Sequence, residues 1–592
     1  MVVALSPEGA AAIFQCWQEE RIGMMRAQII DIRGISNPLA EAVREQARAV
    51  RGKPLPVLPL ADFLAFTQTG ERAAYEDAIF ARHGRLALAG TAWLLDPGAE
   101  TGAELADMLW QICQEPSWSL PAHLYKSGSD PLAKPGAIGL FLDLVSTDTG
   151  AMVAYLTHAA AGELPSALVD FIHFELQRRI FTPFLTRDWN WLHLENNWAA
   201  VCAGGVGMAA LYGLSAEDKQ RARIITRVAT GMRSYIRGFG ADGATEEGVD
   251  YWAYGLGHYI YFAQALAAET GDDHFLRAAK VPRMARFPFN ASLFPGQYVM
   301  FGDMTKRTAA QPSGLMSFCA KVLHAPLTEP IRYSTVAESG SFNDLLHNIA
   351  WTDESLPVTP LPATTDLPSV AWHIVRQPAW AFAIKAGSNH VSHNHNDAGS
   401  WELVTPTQSV VRELGSGPYT RDYFDDRVRY TLPYTRSLGH SVPYVNGTEQ
   451  VYQADTLTTL TVQEDGTAIL NLTKAYPPAA RLRRLLRTVR VTPQTVRITD
   501  QANFASPGNT FTTVLILPAA PTANAAAPDT LQLAGGWSMT FPAGGQATVT
   551  PLNLHDHDGQ PYTAYRLSIQ YAAGAAGEWT VQLTAPSSGR NQ

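Results

Sequence analysis

The spacing of apolar positions changes once along the chain. Up to about residue 330, apolar side chains fall three and four apart, the period of an amphipathic helix. "AEAVREQARAV", "AGELPSALVDFIHFELQRRI", "AAVCAGGVGMAALYGL" and "EDKQRARIITRVATGMRSYIRGF" all follow it. Pro, Gly and Asp punctuate between them. "SAEDKQ" predicts a capped helix start, with Ser215 as N-cap and acids in the first turn. The opening "MVVALSPEGAAAIFQCWQEERIG" also reads as a helix. Many helices of similar length on short loops predict a helical toroid or solenoid, with no strict repeat to specify a named solenoid.

From about residue 340 the period shortens to two. "SVAWHIVR", "WAFAIKAG", "SWELVTP", "TLTTLTVQED", "TAILNLTKA", "LLRTVRVTPQTVRITD", "TFTTVLILP" and "AYRLSIQYA" alternate or are β-branched, with turn residues between them. Asn446-Gly447 in "PYVNGTEQVY" predicts a hairpin turn. "LPVTPLPATTDLPSV" (356–370) reads as a linker or junction loop. The chain is thus predicted to be multidomain α+β. A helical domain spans 1–335, and antiparallel β-sandwich domains span 336–592.

Composition narrows the function. The 592 residues are 46% hydrophobic and 17% charged, an ordinary globular balance. Net charge is −9, which carries no nucleic-acid signature, and a polyanionic ligand would need a locally basic cleft. Cys16, Cys113, Cys202 and Cys319 are widely spaced, so neither a disulfide framework nor a thiolate metal site is expected. No apolar run reaches the length of a membrane span. No signal peptide is read at the start. The expected location is cytoplasmic, or periplasmic or secreted if a leader has been removed. The oligomeric state stays open.

Three stretches carry chemistry. "WNWLHLENNWAAVCAGGVGMAAL" opens an apolar helix at Asn196 and Asn197. One Asn caps the helix, or an Asn amide donates into a cleft at the helix start. "DGATEEGVDYWAYGLGHYIYFAQAL" sets Glu246, Glu247 and Asp250 beside Tyr251, Trp252 and Tyr254. Buried carboxylates are costly unless paired, so this cluster predicts a cleft rather than plain core. "VSHNHNDAGSWELV" repeats potential ligands at His393, His395 and Asp397. Read as a strand, it turns all three to one face. The metallohydrolase version of this motif has a further His after the Asp, and here that position is Ala398.

Together, "NNW", "EGVDYWAYGL" and "HNHNDAGSWEL" resemble the signatures of the heparinase II/III-like polysaccharide lyases. The resemblance implies an N-terminal incomplete (α/α) toroid followed by C-terminal antiparallel β-sheets. It also implies β-elimination: a uronic acid loses its carbon-5 proton, the 4-O-glycosidic bond breaks, and a 4,5-unsaturated sugar remains. By resemblance, Asn197 offsets the charge of the uronate carboxylate. Tyr251 is base and acid, with Tyr254 as its fallback. His393 takes the proton from the opposite face of the ring. The resemblance further implies a divalent metal, a structural zinc, on His395, Glu413 and His440. Glu413 departs from the family, which more often has Asp there. Asp397 then orients a histidine or anchors the turn.

The substrate implied is an acidic polysaccharide: a glycosaminoglycan of the heparan sulfate, chondroitin or hyaluronan type, with alginate second. Asn196, Glu247, Trp252 and Tyr254 are further candidates for substrate contact. So are Arg421 and Arg429 in "RDYFDDRVRYTLPYTRSLGH", because guanidinium groups pair with carboxylates and sulfates. Alternatively, Asp422, Asp425 and Asp426 balance a solvated loop. Two other classes compete. An inverting glycoside hydrolase would use an acid from Asp242, Glu246, Glu247 and Asp250 with a second such as Asp303, about 6.5–9.5 Å away. A non-catalytic carbohydrate-binding protein would account for the aromatic residues alone.

Overall fold

The computed structural model describes residues 28–126, 138–453, 456–524 and 527–586. The helix expected at the start, with Cys16, lies outside them. The described residues divide into two units, both discontinuous in sequence. The first takes residues up to Phe239, Tyr251–Ala285 and Ala310–Pro357. The second takes Gly240–Asp250, Arg286–Ala309 and Val358 onward. The expected division at residue 335 thus differs from the observed one in two ways. The last helix of the first unit, Phe342–Trp351, lies beyond it, and two short segments from the helical stretch belong to the second unit.

In the helical unit the main elements are α1 (Pro38–Val50), α2 (Ala73–Leu95), α3 (Ala99–Cys113), α4 (Leu144–Ala159), α5 (Asn197–Gly213), α6 (Lys219–Arg237) and α7 (Gly248–Thr270). Helix α5 is buried almost throughout. Its run of small residues explains how its neighbours pack so tightly. A Cβ on Gly205 would stand 2.7 Å from the backbone of Thr147 in α4, and one on Gly204 would stand 2.9 Å from the His258 carbonyl. The cap of α6 is Asp218, whose carboxylate accepts from the Gln220 amide at 2.8 Å, and not Ser215. Residues 215–218 form a turn closed by Asp218 N–H to the Ser215 carbonyl, which delays the helix start. Cys113, Cys202 and Cys319 are buried free thiols. Among the described residues, no helix is long and apolar enough to cross a membrane.

The second unit opens with a short hairpin, β1 (Ser292–Phe294) and β2 (Gln297–Tyr298). A five-stranded antiparallel meander follows: β3 (Thr364–Leu367), β4 (Trp372–Gln377), β5 (Trp380–Lys385), β6 (Trp401–Val404) and β7 (Ser409–Val411). The proline-rich stretch read as linker therefore contributes an edge strand, β3. Beyond lie β8 (Tyr444–Val445), β9 (Thr459–Val462), β10 (Ala468–Asn471), β11 (Leu482–Val491), β12 (Thr495–Phe504), β13 (Asn509–Leu517), β14 (Thr522–Asn524), β15 (Ala527–Gln532), β16 (Ser538–Thr540), β17 (Gln546–His555), β18 (Pro561–Ala573) and β19 (Ala576–Thr584). They form an eight-stranded sheet, β14-β15-β16-β19-β12-β11-β10-β9, and a four-stranded one, β17-β18-β13-β8. All three sheets contribute to one core, from Phe382 and Trp401 through Leu485 and Phe511 to Leu567 and Val581.

Asn446 and Gly447 both have positive φ, 51° and 73°, as a two-residue hairpin turn requires. The turn is the one expected, but only the single bridge Val445–Thr448 follows it. The strand entering it, β8, pairs instead with β13.

Candidate functional site

The candidate residues divide between the two units. In the helical unit, Asn196 is the N-cap of α5, its side-chain oxygen accepting from the Trp198 amide at 3.2 Å. Asn197 is the first helical residue and is buried. Trp198 packs edge-on against His123, which is hydrogen-bonded to Asp143 at 2.7 Å. On α7, Tyr251 is half-buried. Trp252 is a core residue: it is 1% exposed, and its indole N–H donates to the Met284 carbonyl at 2.7 Å. The expectation that it touches substrate is corrected, because its polar edge is already satisfied inside the protein. Burial, reinforced by Asp148, pushes the Tyr254 phenol well above its ordinary value, so it is a poor substitute for Tyr251 as a base.

Tyr254 does line a cavity of about 240 Å³, with His83, Asp148, Thr149 and Phe342. His258, one turn on, sets Nδ1 against the Tyr254 carbonyl at 2.9 Å and Nε2 against Asp148 at 3.2 Å. Both nitrogens face acceptors. Burial lowers the imidazole's proton affinity, but Asp148, with Asp344 and the Tyr254 carbonyl, more than offsets this and the net shift is upward.

In the second unit the stretch 389–400 is not a strand. His393 sits in the left-handed region at φ 58°, which breaks the extended run, and regular pairing begins only at Trp401. The shared face of a strand is therefore not what brings the histidines together. Asp303 does that. Its carboxylate is 1% exposed and contacts His393 Nδ1 at 3.0 Å and His395 Nε2 at 3.0 Å. It also accepts from the Tyr423 hydroxyl at 2.5 Å and from Arg429 Nη2 at 3.0 Å. Burial alone would raise this carboxyl's pKa. Arg429 and the two histidines overcome that and hold it well below the usual carboxylate range. The backbone repeats the contact: Asp303 N–H donates to the His393 carbonyl at 3.2 Å. Gly302, at φ 68°, has no room for a side chain, since a Cβ would stand 2.9 Å from that same carbonyl.

Glu247 is buried, with Oε1 3.5 Å from His393 Nε2. Burial lifts the neighbouring Glu246 carboxyl to about 7, with Lys385 pulling the other way. Asp250 and Asp242 have local duties. Asp250 accepts from Thr305 N–H and Oγ1, and Asp242 from Ser369 N–H and Oγ.

Arg429 is buried on Asp303 and Tyr423, not exposed for substrate, which corrects its expected role. Arg427 pairs with Asp425 and Arg436 with Glu449, so the loop is largely self-neutralised. Arg421 keeps a longer contact, 3.8 Å, to Asp422. Tyr423 and Lys385 were not singled out from the sequence. From the sequence, Asp303 stands out only as a possible hydrolase acid. No local pattern marks it, because its partners lie 90 to 126 residues away.

The zinc implied by the resemblance can be tested against the donor atoms. One ligand atom each of His395, Asp397 and His440 lies within 4.8 Å of the others. His395 Nδ1 and Asp397 Oδ2 are buried and have no hydrogen-bond partner among the described residues. Orphaned polar atoms of this kind are costly unless an ion or water satisfies them. Two imidazoles and a carboxylate suit a zinc-like cation. Glu413 has a different place. Its Oε2 meets His440 Nδ1 at 2.6 Å and its Oε1 accepts from the Ser400 hydroxyl. The carboxylate converging with the two histidines is Asp397, whose other oxygen holds Lys385 Nζ at 2.6 Å. Arg487, from β11, donates to the Gly399 and Ser441 carbonyls at 2.7 and 2.9 Å, bracing the two loops that carry these ligands.

Comparison with known proteins now gives the class. Residues 359–581 match the family described as "Heparinase II/III-like, C-terminal". A solved heparinase III has the same fold, with a TM-score of 0.65, 13% identity, and 98% of this chain and 89% of that one covered. The heparan sulfate lyase of Pedobacter heparinus follows with a TM-score of 0.57, 11% identity, and coverage of 98% and 88%. The Streptomyces coelicolor A3 chondroitin AC lyase, solved with chondroitin sulphate, gives 0.57, 12%, and 98% and 83%. At these identities the likeness is one of fold. No curated protein matches the chain in sequence. The family match covers residues 359–581 alone, and over the whole chain the fold is that of these solved structures: an N-terminal helical toroid precedes C-terminal antiparallel sheets, as the resemblance implied.

Proposed function

We propose that the chain is a polysaccharide lyase that cleaves a uronic-acid-containing polymer by β-elimination, with a glycosaminoglycan as the favoured substrate and alginate second. The observation that carries this reading is His393: Asp303 holds Nδ1 at 3.0 Å, and Nε2 stands 3.5 Å from the buried carboxylate of Glu247, an imidazole set between two acids as proton-transfer groups are. The solved relatives named for heparan sulfate and chondroitin cleavage support the substrate class. Asn197 donates its amide toward the uronate carboxylate. A donor aimed at developing enolate-like oxygens is worth about 3 kcal/mol. The C5 proton passes to Tyr251 or, for the opposite epimer, to His393 Nε2. The electron pair of the C5–H bond becomes the C4–C5 double bond. The pair of the C4–O bond leaves with the oxygen, which takes a proton from Tyr251. Arg421 is the arginine of its loop best placed to meet substrate charge.

His395, Asp397 and His440 would hold a divalent metal, for which His440 would exchange its contact with Glu413 through Nδ1 or with the Tyr434 carbonyl through Nε2. Bound there, such an ion would supply fixed positive charge to the loops that carry these residues. Elimination needs no activated water.

One observation favours hydrolysis: the Glu246 carboxyl, lifted to about 7, has the proton affinity of a general acid. Its expected partners are engaged, Asp303 by four side chains and Asp250 by Thr305.

The test is absorbance near 232 nm on hyaluronan, chondroitin sulfates, heparan sulfate, heparin, alginate and glucuronan. The expected result is a rise on one polymer class, abolished by Tyr251→Phe and by His393→Ala on the matching epimer. Reducing ends that appear without absorbance would establish hydrolysis instead. No product from any polymer would favour the binding-protein reading.

A further inference from the structure

The proposed elimination makes no use of the cavity of about 240 Å³ in the helical unit. Its lining comes from α2, α4, Tyr254 of α7 and the segment 336–345, all within that unit. Leu88, Met152 and Phe342 give it apolar walls. Two polar groups face it without a partner among the described residues. Asp148 accepts from His258 Nε2 and Asn343 Nδ2, both at 3.2 Å, through Oδ1 alone, which leaves Oδ2 to the cavity. The other is the Tyr254 hydroxyl. His83 also lines the space, but Nε2 meets Glu115 at 2.9 Å and Nδ1 the Thr149 hydroxyl at 3.1 Å, so it offers only its ring. Phe80 and Gly84, both exposed, mark where the cavity reaches solvent. Glycine inside a helix is destabilising relative to alanine. No packing asks for it at Gly84, where a Cβ would meet nothing within 4 Å, so what it supplies is the opening.

The charge of this space selects its occupant. Among the described residues no lysine or arginine lines it, so an anion finds no counter-charge there. Burial first, and then Asp148, Cys202, Asp143 and Asp344, push the Tyr254 phenol upward, which marks a negative field at the same place. A carboxylate oxygen beside aromatic rings suits an ammonium group: its N–H donates to the oxygen, and the ring faces attract its charge. We infer that this cavity is a binding site for a small organic ammonium ion, held by Asp148 Oδ2 with the rings of Tyr254 and Phe342 beside it. The site is independent of the lyase reading, whose substrate is an anion.

The test is calorimetric titration of the full-length chain with benzylammonium, its neutral analogue benzyl alcohol, the anion benzoate, and glucuronate as a unit of the proposed substrate. The expected result is one site that takes benzylammonium most tightly, benzyl alcohol more weakly, and neither anion. Asp148→Asn keeps the shape of the side chain and an acceptor for His258 and Asn343, but removes the charge. Benzylammonium should then bind about 10–100-fold more weakly, the worth of a hydrogen bond to a charged group, with benzyl alcohol little changed. Gly84→Leu sets a side chain at the mouth and suits the helix better than glycine. It should abolish binding of both while the melting temperature holds. Three results would each overturn the inference: an anion bound as tightly as benzylammonium, no binding of any probe, or native affinity for benzylammonium in both folded variants. Activity on a polymer bears on the lyase reading and not on this site.

Discussion

Replacing Arg487 by Met tests how the loops of the candidate metal site are braced. Arg487 is 1% exposed and pairs with buried Asp500 through two parallel bonds of 2.8 Å. Its third nitrogen serves the Gly399 and Ser441 carbonyls. Removing one member of a buried pair costs about 3–5 kcal/mol, because the remaining charge has lost its partner. For a unit of this size that lowers the melting temperature on the order of 10 °C. The double variant Arg487→Met/Asp500→Leu removes both charges at similar volume. It should recover to within about 2 kcal/mol of the native chain, the residue being two carbonyls without donors at about 1 kcal/mol each. Scanning calorimetry at one scan rate, with zinc titration of each variant, gives both numbers. Zinc should bind more weakly to both variants, since the brace is gone in each. A single variant melting within 2 °C of the native chain (about 1 kcal/mol), or a double variant no better than the single, would refute the reasoning.

Three further outcomes follow from the packing and the titratable groups. Gly205→Ala sets a methyl 2.7 Å from the Thr147 backbone and should destabilise the helical unit by about 1–3 kcal/mol in thermal melts, whereas Gly213→Ala meets only side chains at 3.3–3.4 Å and should cost less. Burial lowers the His347 imidazole to about 3, so the unfolded chain binds its proton first as pH falls below about 6.5. Stability should then drop by up to about 1.4 kcal/mol per pH unit down to about pH 3, and His347→Gln should remove that increment from urea midpoints compared across pH. Chelation should lower the melting temperature of the β unit and zinc should restore it. A hundredfold excess over the dissociation constant is worth about 2.7 kcal/mol, and an unchanged melt would argue against a metal on His395, Asp397 and His440.

The order of helices and strands was legible because burial imposes its period on the sequence. The strands at 372–377, 380–385 and 482–504 lie where alternation placed them. Pattern reading failed where a single dihedral or a distant charge decided the outcome. The alternating ligands of 393–397 read as a strand, and the φ of His393 forbids one. Arg429 and Trp252 looked exposed by type, yet a partner far along the chain satisfies each of them indoors. Glu413 lies next to the candidate metal cluster, but the carboxylate within it is that of Asp397. Local sequence cannot rank two acids that converge only in three dimensions. The division into units was hidden for the same reason: residues 240–250 and 286–309 sit among helices in sequence and belong to the sheets in space.

That discontinuity sets a timetable for the growing chain. Asp303 is synthesised 90 residues before His393 and 126 before Arg429. At about 5–20 residues per second, about 6–25 s pass before its last counter-charge is made. Through that interval the Asp303 carboxylate lacks the histidines and the arginine that pair with it. The β unit therefore cannot complete its pairing of Asp303 until the chain has been made as far as Arg429. A fragment begun at residue 358 would keep the family-matched region yet lack Asp303 and Glu247, leaving His393 and Arg429 without the acid that anchors them.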